Sequence, residues 1–191
     1  MYFWKRVHTR WSMSSVCHMK VFSILFFAYL FLFTSHHSTP LNQMSRSKTP
    51  IRPKPINDPI FREQLSRNEQ FFKKQNQRTI EASYVIVVGL GGVGSHAAHM
   101  LARAGVGRLR LIDFDQVTLS SLNRHAVATR ADVGVTKVEA CKQHFLHFNP
   151  HCQVDAIPRM FTEEAAEELI LGKQGGRPDY VIDCIDDATT K

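Results

Sequence analysis

The chain has 191 residues, enough for one α/β domain with an appendage and too few for two full domains. Its net charge of +7 is confined to the start: residues 1–57 hold eight Lys/Arg and no Asp or Glu, while the other 134 residues carry 16 basic and 17 acidic side chains. The folded part is therefore near neutral, which removes net basicity as a sign of a nucleic-acid-binding domain. The four cysteines (Cys17, Cys141, Cys152, Cys184) form no CxxC pair, which excludes a disulfide scaffold or a cysteine-built zinc site within this chain and suits a reducing compartment.

In chain order, residues 1–20 form a basic, aromatic N-terminal segment. Val21 to Phe33 follows as 13 residues without a charge, interrupted only by the polar Ser23 and Tyr29. A spanning helix needs about 20 apolar residues, a length this run approaches only with its neighbours and with Lys20 reaching back to the headgroups. Residues 21–35 are read as a retained membrane anchor. A cleaved targeting segment and a mis-assigned start codon are the alternatives, and the flank from Thr34 to Pro40 offers no clean small-x-small cleavage site. Four basic residues on either side leave the orientation open. Residues 36–57, rich in Pro, Ser and basic side chains, read as a disordered linker.

Residues 58–191 carry the pattern of a folded domain. Phe61, Leu65 and Phe72 at helical spacing predict a helix from Pro59 to about Gln77. Tyr84 to Val88 is a β-branched run ending at Gly89, and Val93 to about Ala104 is helical, with Ala97, Leu101 and Ala104 on one face. A strand over Leu109 to Asp113, a helix from about Val135 to Phe148 and a strand from Gln153 to Ile157 come next. A helix over Thr162 to Leu171, with Thr162 as N-cap, and a strand over Tyr180 to Cys184 complete the series. Strands alternating with helices define a doubly wound, Rossmann-like parallel sheet, with the first four strands in the order 3-2-1-4 and a ligand crevice where the winding reverses. The sequence ends seven residues after Cys184, where the next helix is due, so the chain reads as the N-terminal part of a longer protein.

The walls of that crevice carry the chemistry. Gly89, Gly91 and Gly94 form a GxGxxG loop, with Gly92 between them, joining a strand to a helix; glycines let the backbone approach phosphate oxygens while the helix start supplies N–H groups. Asp113, 19 residues beyond Gly94, stands at the tip of strand 2, from which a carboxylate can accept hydrogen bonds from a ribose diol. On these residues alone the nucleotide stays open, because the same fingerprint serves nicotinamide and flavin dinucleotides. Cys141 falls with Val138, Phe145 and Phe148 on an apolar helix face and reads as core, and Cys184 as a small buried hydrophobe. His144, His147 and His151 read as a solvated face rather than as metal ligands.

Asp113-Phe114-Asp115, Leu119-Ser120-Ser121-Leu122-Asn123-Arg124-His125, Gly134-Val135-Thr136-Lys137 and Asp183-Cys184-Ile185-Asp186-Asp187 follow the glycine loop in that order. Together they resemble the ThiF/MoeB/HesA family of adenylating domains related to ubiquitin-activating enzymes, from about Glu63 to Lys191. Within it the GLGGVGS loop, the LSSLNRH stretch and Asn149-Pro150 look most like tRNA threonylcarbamoyladenosine dehydratases, especially the membrane-anchored fungal type. The resemblance implies MgATP as the nucleotide, with Asp113 on the ribose and Arg124 and Lys137 neutralising the triphosphate. It also implies Asp186 as the Mg2+ ligand, with Asp115 and Ser121 lining the nucleotide. Ser121 and Asp187 stand where relatives often carry Asn. Arg67 matches an arginine that reaches the neighbouring subunit's nucleotide, which implies a homodimer.

The implied reaction is ATP-dependent adenylation of the carboxylate of N6-threonylcarbamoyladenosine in tRNA, followed by ring closure and loss of AMP. The implied location is the mitochondrial outer membrane, facing the cytosol. An enzyme activating the C-terminus of a ubiquitin-like or sulfur-carrier protein is the near alternative and would need a catalytic cysteine. An NAD(P)-dependent oxidoreductase is the second and would be indifferent to Arg124 and Lys137, and a membrane-tethered nucleotide-binding adaptor is the third.

Overall fold

The structure is a computed structural model that describes residues 57–172 and 176–186. The basic segment, the apolar run, the linker up to residue 56 and Asp187 lie outside the described residues. Among the described residues no helix is long and apolar enough to cross a membrane.

Where one helix was expected from Pro59 to Gln77, three short ones occur: α1 (Pro59–Gln64), α2 (Ser66–Phe72) and α3 (Lys74–Glu81). The Asp58 carboxylate starts α1 by accepting from Ile60 N–H and Phe61 N–H at 2.9 and 3.2 Å, with Pro59 in the first turn where its missing N–H costs nothing. The chain breaks at Leu65 and again at Lys73, whose φ of 69° no spacing rule could announce. Tertiary contacts decide the breaks. Arg62 makes a fork of two bonds, 2.8 and 2.7 Å, to the buried Glu81 carboxylate, folding α1 back on α3. Leu65 and Gln77 press on Gly105, where φ is +89°.

The sheet has the expected order, β3-β2-β1-β4, with every pairing parallel: β1 Tyr84–Val88, β2 Arg108–Ile112, β3 Gln153–Ile157 and β4 Tyr180–Asp183. All five residues of β1 are buried, as an inner strand covered on both faces requires. Val85, Val87, Leu109 and Leu111 point to one face, where they meet α4 (Gly92–Arg103) and α5 (Lys137–Phe148) through Ala98, Ala102, Val138, Cys141 and Phe145. Ile86, Val88 and Ile112 point to the other and meet α6 (Glu163–Leu171) through Leu169, Ala165 and Ile170. This opposition follows from the strand order: a right-handed crossover from β3 past β2 and β1 to β4 must run over the opposite face from the first two.

The buried stripe of α4 differs from the expected Ala97, Leu101 and Ala104. Gly94, Ser95, Ala98 and Ala102 are the fully buried positions, because the smallest side chains let the helix lie close on the sheet, while Leu101 fills the flank. Thr162 caps α6 as predicted, its hydroxyl accepting from Ala165 N–H. In mid-sheet, Arg110 of β2 is 7% exposed; its guanidinium bonds Asp155 at 2.8 Å and the carbonyl of Leu169, in the last turn of α6, at 2.8 Å.

Candidate functional site

The loop after β1 is shaped by what each glycine must allow. Gly89 has φ +84°, and a Cβ there would stand 3.1 Å from the Cys184 carbonyl and 3.2 Å from Ile185 N, so only glycine lets the segment after β4 pass this closely. A Cβ on Gly94 would drive into the Gly89 carbonyl oxygen. Gly91, by contrast, faces open space, and α4 begins there with no side-chain cap. Its first-turn N–H groups and the positive end of its dipole therefore point out of the strand ends at an uncluttered surface.

Asp113 ties this loop to the end of β2. It is 8% exposed; one carboxylate oxygen accepts from Leu90 N–H at 2.5 Å and the other from Asp115 N–H at 2.8 Å. An ionised carboxylate has about four acceptor positions, so capacity remains for a hydroxyl donor. Lys137, the first residue of α5, is buried against the same carboxylates: its Nζ lies 2.6 Å from Asp115 Oδ2 and 4.0 Å from Asp113 Oδ2. A solvated surface lysine is excluded by this packing. The backbone repeats the contact, with Lys137 N–H donating to the Asp115 carbonyl at 3.0 Å.

Arg124 reaches the site from the long connection between β2 and α5. Its aliphatic stem lies over Gly92, where a Cβ would stand 3.4 Å from three of its carbons, and its guanidinium donates to the Ser120 carbonyl at 2.9 Å and to Asn123 Oδ1 at 3.2 Å. Asp186 is exposed on the segment after β4, two residues beyond the Cys184 carbonyl that abuts Gly89; Asp183 shapes that segment by accepting from Ile185 N–H at 2.9 Å. Among the described residues no group of three or more His, Cys, Asp or Glu could hold a metal ion.

Two further expected site residues lie away from the glycine loop. The buried Ser121 hydroxyl donates to the Thr118 carbonyl at 2.7 Å and accepts from Thr118 N–H at 3.0 Å, and so closes a 3-10 turn (Leu119–Ser121). Arg67 is not brought to the glycine loop of its own chain: it lies exposed on α2, bonded to Gln70, on the helix whose Asn68 touches the Ala104 carbonyl before β2, at the opposite end of the strands. His151 pairs with Asp58 at 2.8 Å. Burial pushes the thiols of Cys141 and Cys152 up to about 12, which leaves both un-ionised and unreactive at neutral pH.

Sequence reasoning missed Ser95 and His125. Ser95 Oγ donates to the Gly91 carbonyl at 2.7 Å and accepts from Ala126 N–H at 3.0 Å. His125 Nδ1 accepts from Ala128 N–H at 3.1 Å, and burial lowers the ring's pKa to about 4, so the imidazole is neutral. Both stand at the ends of the motifs GLGGVGS and LSSLNRH, where the sequence gives neither a role of its own.

Residues 65–191 match the ThiF family, and the chain belongs to that family. It is 42% identical over 132 residues to tRNA threonylcarbamoyladenosine dehydratase 2 of Saccharomyces cerevisiae, covering 69% of this chain and 29% of the relative. It is 40% identical over 126 residues to the tRNA threonylcarbamoyladenosine dehydratase of Bacillus subtilis, covering 66% of this chain and 46% of the relative. The crystal structure of E. coli tRNA N6-threonylcarbamoyladenosine dehydratase, TcdA, in complex with ATP superposes with a TM-score of 0.64 at 31% identity, over 69% of this chain and 53% of that one. The chain thus spans between 29% and 53% of these relatives' lengths.

Proposed function

We propose that this chain is the nucleotide-binding part of an ATP-dependent adenylating enzyme acting on N6-threonylcarbamoyladenosine in tRNA. The observation that carries the reading is the buried Lys137, held between Asp115 and Asp113 beside a glycine loop whose helix start has no cap of its own. A lysine is costly to bury, and a second cation, Arg124, lies over the same loop. Two cations and a set of free helix N–H groups suit a triphosphate; a nicotinamide dinucleotide needs neither cation for hydride transfer. The similarity to three tRNA threonylcarbamoyladenosine dehydratases, one of them crystallised with ATP, supports the same substrate class.

In this reading the α-phosphate of ATP lies against the start of α4, the ribose diol on Asp113, and the phosphate chain between Lys137 and Arg124. A carboxylate oxygen of the modified adenosine attacks the α-phosphorus and pyrophosphate leaves. Lys137 and Arg124 stabilise the charge that accumulates on the phosphate oxygens. The acyl carbon is then attacked by a nucleophile within the same modified base, which gives up its proton, and AMP departs with the former carboxylate oxygen; the modified base thus loses the elements of water to AMP and pyrophosphate, and no free water is released. Asp186 offers Mg2+ one hard oxygen ligand, the remainder coming from phosphate and water; when bound, the ion adds positive charge at the departing pyrophosphate.

Arg67, exposed and remote from its own glycine loop, is assigned to the nucleotide of a second copy, making the active unit a homodimer. Residues 21–35 are assigned to a membrane, the mitochondrial outer membrane by family analogy, with the enzyme on the cytosolic side. The test is to incubate the full-length protein with MgATP and threonylcarbamoylated tRNA and to analyse the nucleosides by mass spectrometry. Cyclised product with one AMP per ring is expected; no product and no AMP would sink the reading.

A further inference from the structure

The two loops that frame the site come from distant parts of the sequence, residues 89–95 and 119–128, and the alignment of Arg124 with the glycine loop depends on what joins them. One side chain does so inside the protein. Ser95 is fully buried, its hydroxyl proton goes to the Gly91 carbonyl at 2.7 Å, and its lone pair receives Ala126 N–H at 3.0 Å. The first of these bonds alone would be a helix serine returning a hydrogen bond to the carbonyl four residues back. The second is different in kind, because its donor lies 31 residues further on and two residues from Arg124.

The rest of the Arg124 loop is stiff enough to transmit that tie. Arg124 N–H and His125 N–H both donate to the Ser121 carbonyl, at 3.1 and 3.0 Å. The His125 ring, buried beneath the loop, receives Ala128 N–H on Nδ1 and sets Nε2 against Cys141 Sγ at 3.9 Å. The Arg124 backbone is therefore fixed on one side by Ser121 and on the other, through Ala126, by Ser95, and its stem lies over Gly92, next to the Gly91 carbonyl that Ser95 also holds.

We propose that Ser95 is a positioning residue for phosphate binding, its buried hydroxyl locking the Arg124 loop to the start of α4 so that guanidinium and helix N–H groups present one preset surface. The proposal rests on the adenylation reading. Removing the hydroxyl leaves the half-buried Ala126 N–H without its partner on α4, and the loop is free to drift off the glycine turn. Because the effect runs through Arg124, it disappears when Arg124 is absent.

The test is a double-mutant cycle in the full-length protein, with ATP affinity by calorimetry and melting temperature measured for wild type, Ser95→Ala, Arg124→Ala and the pair. Ser95→Ala is expected to weaken ATP about five- to tenfold in the wild-type background and less than about twofold in the Arg124→Ala background, with the same melting shift in both. Ser95→Cys, which fills the space with a poor hydrogen-bond partner, gives the same selective loss where the alanine variant is too unstable to assay. Equal losses in both backgrounds, or no loss in either, overturn the Ser95 proposal while ATP binding stands. Wild-type protein that binds no ATP overturns the adenylation reading, and the Ser95 role with it.

Discussion

Lys137 Nζ lies 2.6 Å from Asp115 Oδ2 and 4.0 Å from Asp113 Oδ2, so the cation assigned to phosphate is held in place by two carboxylates before any nucleotide arrives. Asp115 is half-exposed and can release the ammonium group to a better anion, whereas the buried Asp113 retains its bonds to the loop backbone. Lys137→Ala is expected to weaken ATP by about 2 kcal/mol, roughly thirtyfold, as measured by calorimetry. Asp115→Asn frees the lysine and leaves the loop anchor intact, so it should keep ATP affinity within about threefold of wild type. A thirtyfold loss in Asp115→Asn would show that Asp115 itself holds the nucleotide.

The glycine loop separates space needed for folding from space kept for a ligand. A methyl group on Gly94 collides with the Gly89 carbonyl, so Gly94→Ala should lose about 1–3 kcal/mol of stability in urea unfolding. Gly91→Ala meets nothing and should change stability by less than about 0.5 kcal/mol, yet fill the surface where the phosphates lie and lower ATP affinity. Equal ATP binding by Gly91→Ala and wild type would move the phosphates elsewhere.

Stability should fall on acidification through an identifiable ring. His125 has its pKa lowered to about 4 by burial, with the Lys137 charge adding to the effect, against an ordinary value of 6.5. The unfolded chain therefore binds a proton that the folded chain refuses between those values. The contribution is complete above pH 6.5 and is lost as pH falls toward 4, on the order of 3 kcal/mol in all. His99 and His144, lowered by burial and by Arg103, act in the same direction. Urea midpoints from pH 7.5 to 4.5 should fall less steeply in His125→Gln, which keeps an acceptor but does not titrate; an unchanged slope would show that His125 is not the buried neutral group.

Lys73 joins α2 to α3 with φ 69° and ψ 149°, a conformation that side chains rarely adopt. Lys73→Gly should relieve it and raise stability by about 1 kcal/mol despite glycine's greater freedom in the unfolded chain. A melting temperature lowered by that substitution would mean the backbone there is unstrained.

The strand order was readable because each β-branched run was followed by a helical period, and three parallel crossovers leave few arrangements. The glycine loop and Asp113 are legible because their spacing from the strand ends has a chemical reason, whereas Arg124 and Lys137 stand out only through the resemblance to the adenylating family. Lys73 was not, since nothing in a Lys-Lys pair announces a positive φ and the break arises from Arg62 reaching Glu81. The α4 stripe lies two or three positions before Ala97, Leu101 and Ala104, because close contact with the sheet selects the face of Gly94, Ala98 and Ala102, a choice between two helix faces that periodicity leaves open. Ser121 and Ser95 show the limit most sharply: two serines in adjoining motifs, one consumed by its own turn and the other spanning two loops, a difference created only when the chain is folded.

Asp113 folds the turn with both oxygens of its carboxylate, and the ribose contact proposed for it would use the remaining lone pairs of the same group, so two duties fall on a single side chain. Any lineage that drifted toward a different nucleotide through this position would dismantle the turn in the same step. Changes of ligand preference must then enter through neighbours such as Asp115, whose loss leaves the anchor standing.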